Sequence, residues 1–75
     1  MSAANDTLTT RRRVSIYRDD STTTVVYDDV KHVWWEAGNS VFVVAYFTDD
    51  SRKAHDYAHW PRERICWIRD EKVSA

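Results

Sequence analysis

The stretch Ser40-Val41-Phe42-Val43-Val44-Ala45-Tyr46-Phe47-Thr48 holds the longest unbroken apolar run in the chain. Its β-branched and aromatic side chains keep their preferred rotamers on a pleated surface and lose freedom in a helix, so the run reads as a strand. Alternation places Val41, Val43, Ala45 and Phe47 on one face and Phe42, Val44 and Tyr46 on the other. Neither face suits water. The run therefore predicts a central strand that needs a cover on each side, supplied by closure of a barrel within the chain or by a partner from outside.

On its N-terminal side the run is joined through Ala37-Gly38-Asn39, the only turn with a glycine, to a strand predicted over about Lys31 to Glu36, so the two form a hairpin. Further back, Arg12 to Arg18 and Thr22 to Tyr27 alternate as a first hairpin closed by Asp19-Asp20-Ser21, whose side chains satisfy local backbone donors. The pairs Asp28-Asp29 and Asp49-Asp50 close later segments in the same way. Beyond the run, Arg52 to Trp60 fits a strand, with His55, Tyr57 and His59 on one face, and also fits a short helix capped by Ser51. The hairpin context and the missing capping box favour the strand. Pro61 stops either element, Pro61 to Arg64 makes a turn or one helical turn, and Ile65 to Ile68 makes a last short strand.

The pattern predicts an all-β or β-dominated α+β domain. It is an antiparallel β-meander of five to six strands, forming an open twisted sheet or a small SH3-like barrel with at most one short helix near residues 51–60. Residues 1–10 are read as a flexible polar tail, 11–70 as the single domain and 71–75 as a C-terminal tail. A chain of 75 residues buries a modest share of its surface on folding, and its single cysteine, Cys66, allows no internal disulfide. Aromatic mass is the substitute: four Trp, four Tyr and two Phe, each able to bury about 150 to 250 Å².

Composition also narrows function. Eleven Lys plus Arg against twelve Asp plus Glu, with a pI near 6.2, argue against the basic excess of a phosphate-binding domain. The N-terminus has no apolar signal region and no stretch is long enough to span a membrane, so a cytoplasmic location is expected. The Arg-, Asp-, Trp- and Val-rich, Lys-poor composition suits a GC-rich bacterial or phage genome.

No nucleophile-base arrangement, phosphate loop or zinc-protease motif is present, so no enzymatic activity, cofactor or metal is expected. His55 and His59 could share a metal on a helix, but as strand residues they lie about 13 Å apart. Cys66, between Ile65 and Trp67, reads as a small buried hydrophobe. The Arg11-Arg12-Arg13 run reads as a solvated lead-in to the first strand. Trp34 and Trp35 must point to opposite faces of their strand, so one of them is left open unless both faces are covered. These features predict a protein-interaction module, self-associating or binding another protein through Trp34, Tyr46 and Trp60 beside Arg52 and Arg62. The alternative is a small barrel that stacks single-stranded nucleic acid on its rings.

Overall fold

The computed structural model describes residues 10–18 and 23–74. Six strands, β1 (Thr10–Arg18), β2 (Thr24–Tyr27), β3 (Val30–Glu36), β4 (Val41–Phe47), β5 (His55–Pro61) and β6 (Ile65–Ser74), form two three-stranded antiparallel sheets. Their orders are β2-β1-β6 and β3-β4-β5. Only Asp28 and Asp29 separate β2 from β3, so a single kinked segment serves both sheets and closes one side of the molecule. At the other side a single 3-10 turn, Arg62–Arg64, leads from β5 to β6. This is the barrel alternative of the predicted fold, not the single open sheet.

The quoted run is the middle strand of its sheet, as its two apolar faces require. On its inner face Phe42 and Val44 join Val14, Ile16 and Val30 in the core, rimmed by Tyr27, Val33, Tyr46, Ala58, Trp60, Ile65 and Ile68. Each fully buried aliphatic or aromatic side chain contributes about 1.5 to 3 kcal/mol relative to exposure, so this short list carries much of the fold. The Trp60 indole N–H donates to the Tyr27 hydroxyl at 3.0 Å, tying β5 to β2 across the two sheets.

The β3–β4 hairpin forms where predicted. Ala37, Gly38 and Asn39 all lie in the left-handed region, at φ of 51°, 65° and 70°. That single left-handed turn brings the Ser40 N–H to the Glu36 carbonyl at 3.1 Å. Glycine takes this conformation freely, whereas Ala37 does so against its own Cβ. The ambiguous segment resolves as strand β5, because it pairs with β4 from Val41↔Pro61 to Phe47↔His55, and a helix could not supply that ladder.

Two expectations change. The sequential hairpins β1–β2 and β3–β4–β5 form, but β2 and β3 fall in different sheets, and β6 crosses back to pair with β1 from Thr10↔Ser74 to Arg18↔Ile65. Residues 70–74, read from their polarity as the end of the domain and a tail, are therefore strand, held by a ladder to a distant segment. Thr10, assigned to the N-terminal tail, opens β1 for the same reason. The Asp19-Asp20-Ser21 turn and residues 1–9 lie outside the described residues.

Candidate functional site

The outward face of β3-β4-β5 explains how the middle strand gains its second cover. Register sets Trp34 and His59 beside Val43, and His32 and Tyr57 beside Ala45. The Trp34 and Tyr57 rings lean together over β4 at 6.2 Å between centroids, with His32 edge-on to Trp34 at 5.7 Å. His55 stands edge-on to Tyr57 at 5.3 Å and shares a 3.1 Å hydrogen bond with its hydroxyl. Beneath this roof Val43 is fully buried and Ala45 is 2 % exposed, although both point away from the core. The Trp34 N–H donates to Glu36 Oε2 at 3.0 Å, which fixes the ring's tilt.

The five residues named from sequence do not share one surface. Tyr46 and Trp60 face the core, where Tyr46 packs against Tyr27 at 4.9 Å. Trp34 is half-buried in the outer roof. Arg52 donates from Nε and Nη2 to the Asp29 carboxylate at 3.0 and 3.1 Å, with its guanidinium over the Phe47 ring. Asp29 also receives Arg11 at 3.5 Å, so a nearly buried carboxylate locks the β2–β3 kink between two arginines. Only Arg62 remains at an exposed aromatic, its guanidinium 6.0 Å from the centre of the Trp35 ring.

Trp35 is the residue that sequence reasoning placed correctly by parity and undervalued in exposure. It points inward beside Phe42, but at the open end of the barrel, and stays 40 % exposed. A cleft of about 430 Å³ opens there, lined by Trp35, Arg62, Ile65, Cys66, Trp67 and their neighbours. Trp67 stacks flat on Tyr17 at 3.9 Å yet remains 50 % exposed. Cys66, expected to be buried, is exposed. The β1–β6 register slips between Tyr17 and Arg18, leaving Cys66 opposite no residue of β1, and this bulge breaks the alternation that the burial argument assumed.

The arginine run is engaged inside the protein. Arg11 faces Asp29 and Asp50, Arg12 donates to Asp70 from Nε at 2.9 Å, and Arg13 donates to Asp28 at 2.9 Å. The Arg12 hydrogen bond holds the Asp70 carboxyl below its ordinary pKa, and Asp70 in turn raises that of Arg12. Among the described residues, no group of three or more His, Cys, Asp or Glu side chains is arranged to hold a metal ion, and no helix is long and apolar enough to cross a membrane. Comparisons with protein-family models, curated proteins and solved structures returned no match.

Proposed function

We propose that this chain is a small non-enzymatic protein-interaction module whose contact surface is the cleft between Trp35 and Trp67 at the open end of the barrel. The observation that carries the reading is the concentration there of two half-exposed tryptophans with Arg62 over one of them. Large rings left in water by a domain with so little core are costly unless a partner covers them, and Trp, Tyr and Arg dominate interface energies. Arg62 is the charged group of the lining, so the favoured partner segment carries an acidic side chain next to an aromatic or aliphatic one. The ion pairs of Arg11, Arg12, Arg13 and Arg52 lend no support to a phosphate-tracking groove.

Selection from a displayed random-peptide library tests this reading. Peptides that pair an acidic with a bulky apolar residue should be enriched. They should lose roughly 30-fold or more in affinity for Trp35→Ala, the scale of a hot-spot truncation, while the circular dichroism spectrum is unchanged. Equal enrichment on wild type and Trp35→Ala overturns the proposal, and unfolding of Trp35→Ala would make that ring part of the core.

A further inference from the structure

The ladder between β1 and β6 is longer than the sheet around it. β6 pairs with β1 along its whole length, whereas β2 joins β1 only from Val14 to Tyr17. Positions 10–13 and 71–74 thus form a two-stranded ribbon, and among the described residues no strand pairs with the far edge of β6. Two-stranded pieces are marginal in water, and a long open edge presents a row of unpaired N–H and C=O groups. Edge strands normally repel other edges with charge. Here Arg69 and Glu71, of opposite sign and 3.5 Å apart within the strand, flank Asp70, so an antiparallel copy centred on Asp70 sets each against the other and turns two local ion pairs into a four-charge cluster.

We propose that the edge is occupied by a second copy of this chain, with β6 antiparallel to β6 about a two-fold axis through Asp70. Such an axis, perpendicular to the sheet, sets each residue against its mirror position and keeps outer faces together. Arg69 then faces the partner's Glu71, and Trp67 faces the partner's Val73, each pair occurring twice. The sheet becomes six-stranded, β2-β1-β6-β6-β1-β2, and the ribbon gains the third strand it lacks.

The neighbouring registers are worse. An axis through Arg69 opposes two arginines and puts Trp67 against a glutamate. An axis through Glu71 sets Asp70 against the partner's Lys72, but it opposes two glutamates and carries Trp67 beyond the end of the partner's β6. In the favoured register the self-facing residue is Asp70, whose carboxylate already holds Arg12 on each copy, so the central like charge is met before pairing begins.

Sedimentation equilibrium of the full chain over a dilution series tests the pairing. A dimer that dissociates on dilution is expected. Arg69→Glu sets two glutamates against each other at two places and should raise the dissociation constant by roughly tenfold or more. The double change Arg69→Glu with Glu71→Arg restores opposite charges and should restore the dimer. The axis is read separately in a Cys66→Ser background, where oxidation should cross-link Asp70→Cys to its own copy and leave Glu71→Cys monomeric. A single-chain mass at every concentration overturns the proposal, as does a dimer indifferent to Arg69→Glu. Trp67 belongs to both the cleft and the edge, so the two readings are separated by residues that each uses alone: Trp35→Ala should weaken peptide binding and leave the dimer, and Arg69→Glu should weaken the dimer and leave peptide binding to the single chain.

Discussion

Ala37 sits at φ 51° in an exposed turn, the conformation that costs an L-residue with a Cβ about 1 to 2 kcal/mol. Replacing it with glycine relieves that cost and adds freedom to the unfolded chain, which takes back roughly 0.5 to 1 kcal/mol. Ala37→Gly should therefore stabilise by about 0.5 kcal/mol in urea denaturation, with no change in the slope; a destabilised variant would mean that the turn is not left-handed at this residue. Tyr27 offers a second residue-level reading. Burial pushes its phenol above the ordinary value, against the opposing effect of the Trp60 hydrogen bond. Its raised folded pKa gives stability that is present below about pH 10 and lost as pH rises through the folded value. Spectrophotometric titration should show one tyrosine ionising later than the rest, and Tyr27→Phe should remove that late phase. At this scale the sequence is legible in parity and poor in exposure. Trp34 and Trp35 do point to opposite faces, yet the outward one is half-covered by Tyr57 and the inward one lies open at the barrel's end. That reversal depends on neighbours brought in by β5 and by barrel closure, which alternation within β3 does not encode.

Among elements, the β4–β5 turn is held by one carboxylate. Asp49 Oδ1 accepts the N–H groups of Lys53 and Ala54, each at 3.1 Å, while Oδ2 accepts the Ser51 hydroxyl. These bonds, Ser51 foremost, lower its pKa, as the Arg12 bond lowers that of Asp70. For both groups the folded pKa lies below the unfolded one, so their contribution is present above the ordinary carboxylate range and lost as pH falls through the folded value. Thermal midpoints should drop on acidification below about pH 4, and Asp70→Asn should flatten part of that drop while lowering the midpoint at neutral pH. An unchanged acid profile in Asp70→Asn would remove the Arg12–Asp70 pair from the explanation. The reading of Asp49 as turn chemistry is available from sequence because an Asx-type cap is local, whereas Asp28 and Asp29 are held by Arg13, Arg11 and Arg52 from other elements. The second half of β6 is not available in that way. Asp70 to Ser74 look like the end of the domain and a solvated tail until β1 is laid beside them, and the pairing of Arg12 with Asp70 joins residues 58 positions apart.

At the scale of the whole molecule, the demand of β4 for two covers is met inside the chain by two different means. The inner face is covered by the second sheet through Val14 and Ile16, and the outer face by rings from β3 and β5 that reach over the strand. An outward position should then behave as core. Val43 and Val44 are adjacent, point to opposite faces and are both fully buried. Truncating either to alanine removes two methylene equivalents at about 0.8 kcal/mol each and leaves a small cavity, for a loss of roughly 2 kcal/mol. On an ordinary half-exposed barrel face Val43→Ala would cost only a few tenths, so the comparison separates the two pictures. Equal losses for Val43→Ala and Val44→Ala in chemical denaturation are expected. Trp34→Ala should remove most of the Val43 effect, because once the roof is lifted the valine is solvated in the folded state as well. Additive losses in the Trp34→Ala, Val43→Ala double variant would show that the ring does not shelter the strand. Val43 would then owe its burial to β3 and β5 backbone alone, and the outer rings would be free to serve as a second contact surface.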